Sequence, residues 1–161
     1  MIWPEGPKLK YDSTLITFTE VPDEITLCLN ITNCPCNCQG CFEPWLREDR
    51  GDRLTFAVLR DLIEKHPHIS CVCFMGGDRF YDEISVLIME LRCYFPKLKW
   101  CMYSGRQEMN KHLATLVDYY KVGPYIAEAG PMDKKTTNQR FYKKENEAWV
   151  DITYRFQKER V

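Results

Sequence analysis

The chain has 161 residues, of which 45% are hydrophobic and 28% are charged. This length suits one domain with one sizeable core, and the composition is that of an ordinary globular protein. The formal net charge of −1 gives no indication of binding to nucleic acid or to an anionic membrane. We see no signal peptide and no apolar run of about 20 residues, so we expect a cytoplasmic protein in a reducing compartment.

The predicted elements alternate between strands and helices. Runs rich in β-branched residues at 14–18 and 25–31 predict two strands, with the turn signal EVPDE between them. Helical spacing of apolar residues then predicts a helix over 55–66, with Thr55 as its candidate cap. The later elements are predicted as a strand at 69–74, a helix at 82–95, a strand at 98–103, a helix at 107–120, a short strand and turn in 120–130, and an edge strand at 148–156.

Alternating strands and helices predict an α/β fold with a mainly parallel sheet. In such folds the carboxyl ends of the strands form the working face. Three unusual sequences fall there, namely the cysteine-rich stretch that follows 25–31, MGGD at 75–78 and YSGR at 103–106. Their shared position predicts that they meet in one site.

The cysteine-rich stretch NCPCNCQGC, at 33–41, contains four of the nine cysteines: Cys34, Cys36, Cys38 and Cys41. An odd number of cysteines in a reducing compartment argues against a disulfide scaffold. A structural zinc site usually takes two separated cysteine pairs, and no second pair follows, since Cys71 and Cys73 lie in a strand of core type. Three thiolates from one tight loop suit an iron–sulfur cubane and leave its fourth iron without a protein ligand.

The spacing C-x3-C-x2-C of Cys34, Cys38 and Cys41 after an early strand resembles the radical S-adenosylmethionine superfamily. The resemblance implies that these three cysteines hold a 4Fe-4S cluster, whose open iron binds the amine and carboxylate of S-adenosylmethionine. One electron from the cluster then cleaves the sulfonium and gives a 5′-deoxyadenosyl radical. Cys36 does not match the family spacing, and its role stays open.

The same resemblance assigns the cofactor-binding positions. MGGD matches a Gly-Gly-acid element that receives the ammonium group of the cofactor, although many members have Glu where this chain has Asp. YSGR offers a hydroxyl and a close backbone approach, and the residues flanking the last cysteine would lie near the adenine. The alternative for both tetrapeptides is a simple turn. The assigned residues are Gly40, Phe42, Gly76, Gly77, Asp78, Ser104 and Gly105, and no catalytic residue is expected beyond the cluster and cofactor ligands.

Three segments resemble the activating enzymes of anaerobic ribonucleoside-triphosphate reductase: CNCQGCFEPW, MGGD and YKVGPYIAEAGPMDKKTTNQRFYK. The likeness covers about 12–143 and implies a single radical SAM domain over 1–161. The chain is short for a complete eight-unit barrel, so we expect an open, partial (βα) barrel. Residues 144–161 extend beyond the pattern and are expected to add a strand.

The implied activity is removal of a hydrogen atom from the Cα of one glycine in the partner reductase, leaving a glycyl radical. The implied partners are that reductase and a reducing electron donor such as flavodoxin. A related hypothesis is an activase of another glycyl-radical enzyme, such as pyruvate formate-lyase. A hypothesis from another class is a non-catalytic zinc-binding module. The basic segment 133–144 is either a solvated loop or a docking surface that places Asn138, Gln139 and Arg140 near the active-site mouth.

Overall fold

The computed structural model describes residues 8–36 and 43–157, and within them it shows an eight-stranded sheet with helices packed against it. The strands are β1 (Lys10–Thr17), β2 (Thr26–Ile31), β3 (Asp52–Arg53), β4 (Cys71–Met75), β5 (Lys99–Tyr103), β6 (Tyr119–Val122), β7 (Arg140–Glu145) and β8 (Ala148–Asp151). The helices are α1 (Phe56–Glu64), α2 (Tyr81–Tyr94) and α3 (Lys111–Ala114). Single 3-10 turns cover Pro44–Arg47 and Thr153–Phe156.

The strand order is β3-β1-β2-β4-β5-β6-β7-β8. The four central strands, β2, β4, β5 and β6, are parallel, and in register Cys28 lies beside Cys73, which lies beside Cys101. The strands on either side pair antiparallel. The sheet is therefore mixed, and only its four central strands are parallel to one another. The predicted fold class, an open partial (βα) barrel, stays a prediction.

Side chains of the central strands alternate between two buried layers. One layer packs against α1 and α2 and contains Leu27, Leu29, Val72, Phe74, Trp100 and Met102. The opposite layer contains Cys28, Cys71, Cys73, Cys101, Tyr103 and Tyr119. Full burial of one large apolar side chain stabilises the fold by about 1.5–3 kcal/mol. Burial on both faces explains why these strands are continuous apolar runs in the sequence.

The first two helices begin and end close to their predicted bounds. Thr55 caps α1, because its side-chain oxygen accepts a hydrogen bond from the backbone N–H of Val58. Leu59 and Ile63 are buried on the inner face of α1, and Ile84, Leu87, Ile88 and Leu91 are buried on that of α2. The predictions of helices at 55–66 and 82–95 are confirmed within two residues at each end.

The prediction of one long helix over 107–120 is wrong. Only Lys111–Ala114 is helical, and the chain then enters β6. Asp118 causes the change of direction, since its carboxylate accepts a hydrogen bond from Trp100 N–H and its own N–H donates to the carbonyl of Trp100. These bonds begin the pairing with β5. Tertiary pairing therefore overrides the helical spacing of apolar residues in this segment.

The edge strand predicted over 148–156 is found over its first part, as β8, which pairs with β7 in a hairpin at the edge of the sheet. A 3-10 turn follows β8, and β7 takes up the end of the segment 133–144, for which a solvated loop or a docking surface was expected. Asn146 and Glu147 connect the strands with φ values of 49° and 63°. A two-residue turn of this left-handed kind matches strand twist but usually contains glycine. The sequence Asn-Glu therefore gave little indication of a hairpin.

Among the helices in the described part of the chain, none combines the length and the hydrophobicity needed to cross a bilayer.

Candidate functional site

A cavity of about 190 Å3 lies where the four parallel strands end. Ile31, Met75, Tyr103 and Lys121, from β2, β4, β5 and β6 respectively, all contribute to its wall. Loops that follow these strands supply the polar lining: Cys34, Cys36, Gly76, Asp78, Ser104 and Gly105. The three sequences predicted to share one site, from the cysteine stretch, MGGD and YSGR, are therefore brought together by the fold.

The start of the cysteine loop is held by the chain that follows it. The N–H of Asn33 donates to the carbonyl of Glu48, and the N–H of Cys34 donates to that of Leu46 at 2.9 Å. Asn33 has a φ of 60°, a conformation that asparagine tolerates better than most residues. This turn directs Cys34 and Cys36 toward the cavity, where both are half-buried. The predicted site residues Cys38, Gly40, Cys41 and Phe42 lie outside the described residues, and their roles stay predictions.

Asp78 is the centre of the hydrogen-bond network in the cavity. Its Oδ1 accepts from the hydroxyl of Ser104 at 2.6 Å and from that of Tyr81 at 2.5 Å. Its Oδ2 accepts from the N–H of Gly105 at 3.0 Å and from the thiol of Cys36 at 3.7 Å. One buried carboxylate therefore joins the loops after β2, β4 and β5 to the first turn of α2. Four donors around one carboxylate hold it in a fixed position.

Tyr81 keeps its proton in this network. Burial, with the adjacent carboxylate of Asp78, raises the pKa of Tyr81 well above its usual value. The phenol therefore remains a hydrogen-bond donor at neutral pH. Tyr81 was not identified from the sequence, since it lies just before the helix predicted over 82–95.

The glycines of the site are required for two different reasons. Gly76 and Gly77 have φ values of 93° and 103°, which side chains of L-residues rarely permit. At Gly77 an added Cβ would also lie 2.7 Å from Cδ1 of Ile84, so this residue packs against the core. At Gly105 an added Cβ would lie 2.7 Å from Sγ of Cys36 and 3.2 Å from its Cβ. Gly105 thus allows the cysteine loop to approach the end of β5.

Lys121 is a cavity residue that the sequence reasoning missed. It is 8% exposed, and its ammonium group donates to the carbonyls of Ser104 at 3.1 Å and Gly123 at 2.8 Å. It places a positive charge in the wall beside two thiol groups. Lys121 lies in the short strand and turn predicted for 120–130, but nothing in the local sequence indicated that this strand runs parallel to β5 and ends at the cavity.

Five further residues line the cavity: Glu43, Leu46, Arg47, Tyr125 and Gln139. Burial, followed by the charges of Glu20 and Asp12, raises the pKa of the Glu43 carboxyl. Gln139 comes from the TTNQR sequence and lines the cavity, whereas a docking role of the segment 133–144 stays a prediction. Its neighbours are placed differently, since Asn138 donates to the carbonyl of Pro124 and Arg140 is exposed near Asp151.

The chemistry of the described residues fits an iron–sulfur cluster. Cys34 and Cys36 supply soft sulfur donors from one loop, at the mouth of a cavity that also contains a buried cation. Within 8–36 and 43–157, no group of three or more histidine, cysteine, aspartate or glutamate side chains is arranged to hold a metal ion. Two of the three predicted ligands, Cys38 and Cys41, fall between those ranges.

A family model described as "4Fe-4S single cluster domain" matches residues 25–148, which is well over half of the chain. The match begins one residue before β2 and ends at the first residue of β8, so it includes the cysteine loop and all the loops that form the cavity. No curated protein and no solved structure matches the chain.

Proposed function

This chain belongs to the 4Fe-4S single cluster domain family, and we propose that it is a radical S-adenosylmethionine activase that generates a glycyl radical in anaerobic ribonucleoside-triphosphate reductase. The family match shows that the chain is a 4Fe-4S cluster-binding domain. The observation that supports the proposed radical activity is the cavity in which Cys34, the Gly76–Asp78 turn and the Ser104–Gly105 turn meet. The proposed cluster ligand Cys34 would then lie beside the two turns proposed to hold the cofactor, which we call the cofactor cradle.

The proposed cluster ligands are Cys34, Cys38 and Cys41, which leave one iron open to the cofactor. When bound, the cluster supplies one electron for cleavage of S-adenosylmethionine to methionine and a 5′-deoxyadenosyl radical, which takes a hydrogen atom from a glycine of the partner. Cys36 is not needed for this set. Its thiol contacts Asp78, which supports a role in positioning the loop.

The residues of this chain would bind and orient the cofactor. The carboxylate of Asp78 is proposed to accept hydrogen bonds from an ammonium group, and the donors around it hold it in a fixed position. The charge of Lys121 in the same wall suits a carboxylate. A cofactor that carries both groups on one carbon matches this pair of charges. Gly40 and Phe42 are proposed to contact the adenine, and Gly77 supports the turn.

The proposed partner is a glycine-containing loop of a large protein. Gln139 reaches the cavity from the TTNQR sequence, which carries part of the likeness to the reductase activases. An activase must hold one C–H bond of the partner close to the radical and exclude water. The rim formed by Glu43, Tyr125 and Gln139 is the part of this chain available to do so.

Anaerobic reconstitution followed by metal and product analysis tests the proposal. We expect about four irons and four sulfides per chain, and 5′-deoxyadenosine when S-adenosylmethionine and dithionite are added. Substitution of Cys34, Cys38 or Cys41 by Ala should abolish cluster assembly, whereas Cys36→Ala should retain some of it. One zinc and no iron would instead establish a zinc-binding module and would refute the proposal.

The partner is tested separately by electron paramagnetic resonance. The activated mixture should give a glycyl radical signal when anaerobic ribonucleoside-triphosphate reductase is present. A matched reaction with pyruvate formate-lyase should give none. A signal with pyruvate formate-lyase and none with the reductase would support the same radical chemistry. It would identify the chain as an activase of another glycyl-radical enzyme.

A further inference from the structure

Gln139 brings an unpaired amide group to the cavity of the candidate site. The residue is only 7% exposed and lines the cavity. Its backbone N–H donates to Oγ1 of Thr137 at 3.1 Å, but its side-chain amide has no hydrogen-bond partner in the described part of the chain. The polar side-chain atoms there that are both fully enclosed and unpaired belong to Thr26, Trp100 and Asn138. The amide of Gln139 is therefore accessible from the cavity.

The backbone on either side of this amide is fixed. The side chain of Asn138 donates to the carbonyl of Pro124 at 2.9 Å and so ties together the two ends of the loop between β6 and β7. Gly123 has a φ of 104°, and a Cβ at this position would lie 3.1 Å from Cα of Gln139. The glycine thus allows the two ends to come close. An amide that is held in place before its ligand arrives binds that ligand at a lower entropic cost.

Two hydroxyl groups of the same cavity are already engaged in hydrogen bonds. The hydroxyl of Ser104 donates to Asp78 at 2.6 Å, and that of Tyr103 donates to the carbonyl of Glu20. Gln139 differs from them because it offers an acceptor oxygen and a donor nitrogen side by side, without a charge. A buried polar group that the fold leaves unpaired is typical of a place where a ligand supplies the partner.

We propose that Gln139 is a specificity-determining residue that binds the backbone of the glycine in the protein substrate. The inference rests on the proposed function, in which the Cα of a glycine gives up a hydrogen atom. Glycine has no side chain, so an enzyme that selects it must recognise its backbone. In an extended residue the N–H and C=O groups point to the same side. The oxygen and nitrogen of one carboxamide match this pair.

The place of Gln139 in the sheet favours the substrate over the cofactor as the ligand of the amide. β4, β5 and β6 lie between β2, which leads into the cysteine loop, and β7, which follows Gln139. The charged groups of the cofactor are proposed to bind Asp78 and Lys121, so an uncharged amide suits a neutral group such as a peptide bond. A buried amide also disfavours any ligand that cannot pair with it, because its polar atoms would then stay unpaired.

Two matched peptides test this role without turnover. Both span the glycine of the reductase on which the radical forms, and the second carries N-methylglycine there, which removes the N–H donor. Calorimetry is performed with the reconstituted cluster and S-adenosylmethionine but without a reductant. We expect the wild type to bind the glycine peptide about tenfold more tightly than the N-methyl peptide. Gln139→Met keeps the length of the side chain without its amide, and it should bind the glycine peptide about three- to tenfold less tightly and lose most of the preference.

Two further variants serve as controls. Gln107→Met makes the same change at an exposed glutamine outside the cavity lining and should bind both peptides as the wild type does. Gln139→Asn keeps the amide on a side chain one methylene shorter, and its preference should lie between those of wild type and Gln139→Met. Circular dichroism and iron content establish that each variant folds and binds its cluster. A wild type with equal affinity for the two peptides, or a Gln139→Met variant with the wild-type preference, would overturn the proposal.

The affinity for S-adenosylmethionine distinguishes this role from a cofactor contact. If Gln139→Met loses more affinity for S-adenosylmethionine than for the glycine peptide, the amide serves the cofactor and the proposal is overturned. With the full reductase and dithionite, Gln139→Met should give less glycyl radical per 5′-deoxyadenosine formed, and an unchanged ratio would contradict the proposal. Absence of 5′-deoxyadenosine in the wild type would refute the proposed function itself, whereas its presence with an unchanged peptide preference in Gln139→Met would refute only the role of Gln139.

Discussion

The hydroxyl of Ser104 donates a 2.6 Å hydrogen bond to Oδ1 of Asp78, and the two side chains are only 1% and 5% exposed. The bond joins the loops that follow β4 and β5 at the floor of the cavity. The same carboxylate contacts the thiol of Cys36. A change at Asp78 should therefore affect both the cofactor cradle and the cysteine loop.

Asp78→Asn keeps the shape of the side chain but gives it an amide that must face the donors of Ser104, Tyr81 and Gly105. We expect a loss of about 1–3 kcal/mol in the free energy of unfolding. Formation of 5′-deoxyadenosine, expressed per bound iron, should fall about tenfold or more. Asp82→Asn, at an exposed position one turn away, is the control. An Asp78→Asn enzyme with wild-type rate would show that the carboxylate does not serve the cofactor.

Gly105→Ala should impair assembly of the cluster. The new methyl group would lie 2.7 Å from Sγ and 3.2 Å from Cβ of Cys36, so rotation of the thiol alone cannot relieve the contact. We expect lower iron content after reconstitution, and partial recovery in Gly105→Ala/Cys36→Ala, where the closer of the two contacts is removed. A double variant that binds no more iron than Gly105→Ala would contradict this explanation.

The buried cysteines in the layer below the site should resist alkylation. Cys71, Cys73 and Cys101 are fully buried, and burial raises the pKa of Cys101 to about 11. At pH 8 only about one Cys101 thiol in a thousand would then be ionised. Exposed Cys93 should react with iodoacetamide within minutes, as located by peptide mass spectrometry. Equally fast labelling of Cys101 in the folded protein would show that this layer is open.

Glu24 joins the amino ends of the sheet, where its buried carboxylate accepts from Lys99 at 2.8 Å and from Ser70 at 3.0 Å. The hydrogen bond from Lys99 to Glu24 raises the pKa of Lys99. The stabilisation is fully present below the unfolded-state pKa of lysine and is lost as pH rises through the raised pKa. Because Lys99 is 48% exposed, we expect Glu24→Gln to cost only about 1 kcal/mol.

The pH dependence of the stability difference between wild type and Glu24→Gln tests the role of Lys99. The gap in unfolding free energy between wild type and Glu24→Gln should be constant near neutrality and should narrow above about pH 10.4. Asp61→Asn, which breaks an exposed pair with Lys65, should change stability by less than about 0.5 kcal/mol. A gap that widens with alkaline pH would contradict the assigned role of Lys99.

The parts of the site that follow continuous apolar runs could be predicted from the sequence. Asp78 and Ser104 were identified in this way, because buried parallel strands are visible as runs and their carboxyl ends lie together. Lys121 was missed although a short strand was predicted for 120–130, because nothing in the local sequence placed that strand beside β5. Local spacing could not show that Asp118 pairs with Trp100 across the sheet. The β7–β8 hairpin was missed because its turn, formed by Asn146 and Glu147, lacks the glycine that usually marks such a turn.

The electron paramagnetic resonance spectrum of the reduced, reconstituted protein, recorded with and without S-adenosylmethionine, tests the central claim most directly. An iron that has no protein ligand should bind the cofactor, so its addition should shift the signal of the reduced cluster. The shift should persist in Cys36→Ala. A spectrum that S-adenosylmethionine leaves unchanged, in protein with a full complement of iron and sulfide, would contradict the account.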